Sequence, residues 1–302
     1  MNLGYACINL TLSKQKPRIT TNRGMIKKTF LEKGISYASE LGVQNCRDLL
    51  DIIKWNHLNG IKFFRLSSDI LPWHSEYNFL DLPNFVEISD ALLSAGDFSK
   101  LYNQRITAHP GPFNVLVSPN ESVVRNTIAD LSMHGEVFDM MGLSRTPYNK
   151  INIHCNGVYG DKISAMERFC KNFNKLPESV KSRLTIENDD RSSMYSVKDL
   201  MYIHDRIGIP IVFDYHHHKF CTGNLTEEEA LKLAVSTWGK IKPVVHYSES
   251  KVLHEGNDQL RPQAHSDYIN ELPNTYGLDI DIMVEAKAKE LSILPFINSR
   301  NI

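Results

Sequence analysis

The sequence predicts an α/β fold, a single (β/α)8 barrel occupying residues 1–302. Three observations carry this reading. Eight short runs rich in β-branched and aromatic residues recur along the chain, segments with helical spacing of apolar residues separate them, and no G-x-G-x-x-G turn follows an early run. Strands alternating with helices make a parallel sheet, and eight such units in about 300 residues suit a closed barrel better than an open one.

The elements follow in order. Strands are expected at 3–10, 61–66, 105–109, 150–155, 184–188, 209–215, 243–247 and 280–286. Helices are expected at 33–58, 84–102, 120–142, 161–174, 196–207, 226–238 and 266–272, with a last one from about 287 to 297. Ser196 before VKDLMYIHDRI and Thr226 before EEEALKLAV each place a hydroxyl where it can cap free backbone N–H groups. No Pro/Gly/Ser linker, charge block or repeat beyond the βα rhythm marks a second domain.

Composition bounds the function more weakly. A hydrophobic fraction of 42% supports a large core. The 34 Lys and Arg against 35 Asp and Glu give a net charge of −1, so any nucleic-acid surface must arise from local placement of cations or from bound metal ions. Five scattered cysteines, Cys7, Cys46, Cys155, Cys170 and Cys221, form no CxxC pair and point to a reducing, intracellular compartment. The N-terminus lacks the pattern of a signal peptide, and no apolar run is long enough for a membrane span. A soluble protein is expected, with no membrane role and no evident obligate protein partner.

The chemistry is concentrated at the polar ends of the expected strands. The third ends in ITAHPG (His109), the fourth in INIHCNG (His154) and the fifth in LTIENDD (Glu187). The sixth ends in IVFDYHHH (Asp214, His216, His217, His218), the seventh in VVHYSES (His246) and the eighth in IMVEAK (Glu285). Any one of these would serve as a capping or hydrogen-bonded structural residue. Six successive strand ends bearing such groups place them around one barrel mouth. Imidazole with carboxylate suits Zn²⁺, Mn²⁺ or Fe²⁺ better than Ca²⁺, and the number of ligands calls for two or three ions. Strict strand alternation puts His216 and His218 on the face of Asp214, whereas a turn beginning after Tyr215 would pair Asp214 with His217. Periodicity leaves both arrangements open.

These motifs, together with LGYACINLTL, FFRLSSDILP, ITAHPGPFNVLVSP, IHCNGVYGDK and AHSDYI, resemble the ultraviolet damage endonucleases, relatives of endonuclease IV among the xylose-isomerase-like TIM barrels. The resemblance runs from Leu3 to Lys287. It implies a DNA-repair enzyme acting on UV-damaged double-stranded DNA. Such an enzyme cuts immediately 5′ of a cyclobutane pyrimidine dimer or 6–4 photoproduct and leaves a 3′-hydroxyl and a 5′-phosphate. It further implies Mn²⁺ as cofactor, with Zn²⁺, Co²⁺ or Mg²⁺ as alternatives. The implied ligands are His109, His154, Glu187, Asp214, His217, His246, His265 and Glu285. Glu187, Glu285 and His109 stand nearest the chemistry, with the two glutamates expected to bridge ions. Tyr5 and Asn9 are implied to hold the flipped lesion.

Three positions depart from that family pattern. Pro112–Phe113 stands where a Gln–aromatic pair is usual, so Phe113 can wedge into a duplex but Pro112 has no side-chain hydrogen bond to offer. Val244 stands where a lysine often lies two residues before the strand-seven histidine, with Lys242 further off. A strand-two histidine has His74 or Glu76 as its nearest counterpart. The competing readings are an apurinic-site endonuclease, a metal-dependent sugar isomerase and a non-catalytic DNA-binding barrel.

Overall fold

The computed structural model describes residues 1–299. Its centre is a closed barrel of eight parallel strands, each pairing with its neighbours in sequence and the last closing onto the first. They are β1 (Leu3–Ala6), β2 (Phe63–Leu66), β3 (Arg105–Ala108), β4 (Ile151–His154), β5 (Leu184–Glu187), β6 (Ile211–Asp214), β7 (Val244–Tyr247) and β8 (Asp281–Val284). Helices wrap the outside, giving a (β/α)8 TIM barrel. All eight expected strands form, and each is shorter than its apolar run.

The shortening has local causes. β1 stops at Ala6 because Cys7 adopts φ 73°, and Asn9 then caps a short helix, Leu10–Ser13, by accepting the Leu12 N–H at 2.9 Å. The sixth run ends likewise: Asp214 accepts the His217 N–H at 2.8 Å and starts the helix Tyr215–His218. Ser196 and Thr226 do cap the helices Val197–Ile207 and Glu227–Ser236, each in a reciprocal capping box with Asp199 or Glu229.

One expected helix is absent. Residues 266–272 are irregular, because their N–H groups are committed to distant acceptors. Ser266 donates to the Glu249 carbonyl at 2.9 Å, Ile269 to Ser292 Oγ at 3.1 Å and Asn270 to the Glu249 carboxylate at 2.8 Å. No i−4 ladder can form there, and a short helix at Lys251–Glu255 precedes the segment instead. Among the described residues no helix is long and apolar enough to cross a membrane.

Strand alternation divides the core in two. Outward residues such as Ile106, Ile153, Ile186, Phe213, Val245 and Val284 pack beneath the helices. A smaller apolar cluster, with Ala6, Phe63, Val212, Val244 and Met283, fills the middle of the barrel. Below it the fully buried Arg105 closes the N-terminal end of the lumen, paired with Asp281 at 3.1 Å. Above it the lumen turns polar.

Candidate metal-binding active site

Strand register sets the site. His154 at the end of β4 is in register with Glu187 at the end of β5, and Asp214 at the end of β6 with His246 of β7. His109 follows β3 by one residue and Glu285 follows β8 by one. Parallel strands deliver all six side chains to the same end.

They converge. Three groups bring candidate ligand atoms within 4.8 Å of one another: His109, His154 and Glu187; Glu187, Asp214 and His217; Asp214, His246 and Glu285. Glu187 is common to the first two groups and Asp214 to the last two. Sharing therefore falls on Glu187 and Asp214, whereas the sequence reading expected Glu187 and Glu285. The short helix after β6 separates the three histidines: it turns His217 back so that Nδ1 lies 3.4 Å from Glu187 Oε1. His216 and His218 are buried elsewhere, against Phe220 and Phe213. His265 lies at the edge, its Nδ1 3.2 Å from the Glu285 carbonyl oxygen and 3.9 Å from the carboxylate, outside the three groups.

Charges in this pocket are strongly coupled. Burial opposes ionisation of Glu187, yet His246, His154 and His109 hold its carboxyl well below the usual range. Burial opposes ionisation of Glu285 too, and Arg65 and His246 outweigh it. Burial pushes His109 down to about 4, which leaves it neutral at pH 7. His154 is equally enclosed, but Glu187 and Asp189 raise it to about 9.

Whether a cation fits can be read from the polar atoms. Asp214 Oδ2, His154 Nδ1 and His246 Nδ1 are buried without a hydrogen-bond partner. His246 Nδ1 lies 3.1 Å from oxygens of both Glu187 and Glu285, and His154 Nδ1 3.2 Å from Asp189, but outside hydrogen-bonding geometry. Buried polar atoms are rarely left so. A divalent cation among the carboxylates would satisfy His246 Nδ1 and Asp214 Oδ2, while His154 turns Nδ1 to Asp189 and Nε2 towards Glu187, and the His/Asp/Glu donor set suits such an ion.

Several neighbours escaped the sequence reading. Asn152 donates to Glu187, Asp189 faces His154, and the Asn188 carbonyl lies 2.9 Å from His217 Nδ1. Arg65 of β2 ion-pairs with Glu285. Neither counterpart of the strand-two histidine joins the ligand groups: His74 is turned to Asp130 at 2.7 Å and Glu76 is exposed. Val244 belongs to the apolar lumen, but a lysine does stand beside His246: Lys150, below β4, places Nζ 3.1 Å from His246 Nε2. Burial lowers that amine to about 7. The signal for Lys150 and Asn152 was their alternation with His154 on an otherwise apolar strand.

The proposed lesion contacts separate into two kinds. Tyr5 and Asn9 are fully enclosed: the Tyr5 hydroxyl donates to Asn56 Oδ1 at 2.7 Å and accepts from Asn9 Nδ2 at 2.9 Å. In this arrangement neither offers a surface to DNA. Pro112 is exposed on the β3 loop, and Phe113 beside it is 88% exposed.

Fold and site together define a TIM barrel whose strand C-termini gather a ring of groups able to hold metal ions. Within that class the chain belongs to the UV-endonuclease UvdE family, whose model matches residues 1–301. A UV-damage endonuclease of Schizosaccharomyces pombe is 36% identical over 96% of this chain and 49% of its own length, so the chain spans about half of that relative. A UV DNA damage endonuclease of Clostridium perfringens is 35% identical over 99% of this chain and 70% of the relative. The crystal structure of SacUVDE superposes with a TM-score of 0.85 at 32% identity, covering 99% of this chain and 97% of the other. A D-psicose 3-epimerase of Clostridium cellulolyticum, at 10% identity and a TM-score of 0.54, shares the fold alone.

Proposed function

We propose that the protein is an intracellular DNA-repair endonuclease. It hydrolyses the phosphodiester immediately 5′ of a cyclobutane pyrimidine dimer or 6–4 photoproduct in double-stranded DNA and leaves a 3′-hydroxyl and a 5′-phosphate. The observation that carries this reading is the convergence of His109, His154, Glu187, Asp214, His217, His246 and Glu285 at one mouth in a chain of the UvdE family. Those residues hold two or three divalent ions, Mn²⁺ in our reading, with His265 joining from the edge. Such ions supply Lewis acidity towards water and the phosphate oxygens.

The chain's own groups do the rest. Glu187 and Asp214, each shared between two ligand groups, would each hold an ion in common with both groups. His109, neutral at pH 7, has its Nε2 hydrogen-bonded to the Glu187 carboxylate at 3.1 Å, a nitrogen that would have to give up its proton to ligate a metal. Glu285 is anionic and oriented by Arg65. Phe113 at the rim wedges into the duplex, with Pro112 stiffening the loop. Tyr5 and Asn9 act from beneath, because their hydrogen bonds hold the Leu10–Ser13 turn that walls the mouth near β1.

The test is incision of a duplex carrying one thymine dimer, with and without Mn²⁺, beside an abasic duplex and a ketose substrate. Mn²⁺-dependent nicking 5′ of the dimer, exceeding any action on the other two, is expected. Preference for the abasic duplex or the sugar would replace the proposal. Glu285→Gln should lose nicking and keep dimer binding; retained nicking at unchanged metal content would remove Glu285 from its role.

A further inference from the structure

Between the ends of β1, β2 and β8, directly beside Glu285, lies a cavity of about 320 Å³ lined by Arg65, Gln263, His265, Glu285, Lys287 and Lys289. Three of its walls are cationic and one is anionic. For a chain with a net charge of −1 this is a local concentration of positive charge, and it adjoins the ring of candidate ligands. One edge of the Arg65 guanidinium meets Glu285, while its Nε is buried without a hydrogen-bond partner.

The backbone at Lys289 adds a second, independent observation. It has φ 53° and ψ −126°, a conformation of type II′ turns that glycine adopts freely and a side chain resists. The strain is imposed from the next residue. The buried Glu290 carboxylate accepts the N–H groups of Leu10 at 2.9 Å and Thr11 at 2.7 Å and so pins the chain. A glycine would meet the backbone demand at position 289. The sequence places a lysine there, half-buried, with its side chain in the cavity wall. Strained backbone of this kind concentrates at ligand-binding positions.

We infer that this cavity seats the backbone phosphate next to the scissile one on the incised strand, held by Lys289 and Lys287, with the Arg65 guanidinium adding positive charge to its wall. The inference rests on the endonuclease reading above and deepens it. Arginine and lysine together suit a phosphate, the arginine through its planar fork and the lysines as point charges. A contact to a non-scissile phosphate strengthens binding without taking part in bond cleavage.

The test compares the wild-type chain with Lys289→Met, Lys289→Gly and Lys289→Arg. Each is titrated with a fluorescein-labelled duplex carrying one thymine dimer, in EDTA so that no strand is cut, from low to moderate salt. Loss of one phosphate contact should reduce the slope of log affinity against log salt by about 0.9. We expect that reduction, and a roughly tenfold weaker Kd, in the methionine and glycine variants, with the slope retained in the arginine variant. The glycine variant relieves the backbone strain, so it folds even if the methionine variant does not. An unchanged slope and Kd in the glycine variant overturns the phosphate seat. Failure of the wild type to nick the dimer duplex in Mn²⁺ overturns the endonuclease reading itself.

Discussion

The two ends of the barrel lumen both bury charge, and they do so in opposite ways. At the N-terminal end Arg105 is fully buried and its donors are engaged. Nε donates to the Tyr148 carbonyl at 2.7 Å, Nη1 to the Lys242 carbonyl at 2.9 Å and to Asp281, and Nη2 to the Pro147 carbonyl at 3.3 Å. The guanidinium also lies 4.6 Å from the centre of the Tyr148 ring. Asp281 in turn accepts the Asn2 N–H at 2.8 Å. At the C-terminal end the carboxylates and imidazoles crowd together with Asp214 Oδ2, His154 Nδ1 and His246 Nδ1 lacking hydrogen-bond partners. Glu187, Asp214 and His246 are as buried as Arg105 and Asp281, while the other candidate ligands are partly open; what differs most is completeness. A buried charge whose partners are all in place is part of the scaffold, and a cluster left incomplete awaits something from outside the chain.

The largest expected effect tests the scaffold half. Asp281→Asn leaves Arg105 charged and enclosed, which for a buried pair costs about 3–5 kcal/mol of stability. Urea unfolding should register that loss, while incision per folded molecule stays at the wild-type level. A drop in specific activity matching the loss of stability would erase the distinction between the two ends.

Glu187→Gln should do the reverse. Loss of groups that merely support metal ligands costs roughly 10–100-fold in activity or metal affinity, and Glu187 is shared by two ligand groups. Incision should fall at least a hundredfold, about 2.7 kcal/mol in barrier, at a saturating dimer duplex. The fold should persist by circular dichroism. Retention of more than a tenth of the activity would remove Glu187 from the centre.

A smaller effect sharpens the contrast. A ligand that binds only the folded state stabilises it by about 1.4 kcal/mol at tenfold excess over its Kd. Mn²⁺ should therefore raise the unfolding midpoint of the wild type and of Asp281→Asn by the same increment. Asp214→Asn should gain little. An equal gain in all three would place the ions somewhere other than this mouth.

How much of this could be read from the chain follows from the same geometry. Strand positions and the polar groups at the strand ends were legible because a period of two with a polar terminus is a local pattern. The choice of His217 was not, since it depends on Asp214 turning from strand residue into helix cap. Lys150 and Arg65 were passed over because a cation inside a strand reads as an interruption until register shows which group it meets. Residues 266–272 misled because tertiary acceptors took N–H groups that local propensity assigned to a helix. Tyr5 on β1 could equally be read as a core aromatic, and what encloses its hydroxyl, Asn56, lies 51 residues away in the sequence.

The smallest effect concerns protons. His154 is raised to about 9, so the metal-free protein carries a proton there at pH 7.5, whereas His109, lowered to about 4, carries none. A metal ion competes with that proton, since ligation needs a neutral imidazole. Binding of Mn²⁺ at pH 7.5 should release close to one proton from His154, and affinity should rise with pH until about 9 and then level off. The sign is fixed: raising pH removes the competitor. Calorimetric titrations of the metal-free protein in two buffers of different ionisation enthalpy measure the release directly. Asp281→Asn should leave it untouched, because the scaffold end holds no group that the ion must deprotonate. Metal uptake without proton release would mean that His154 keeps its proton on Glu187 and Asp189, and that the first ligand group is held together by hydrogen bonds alone.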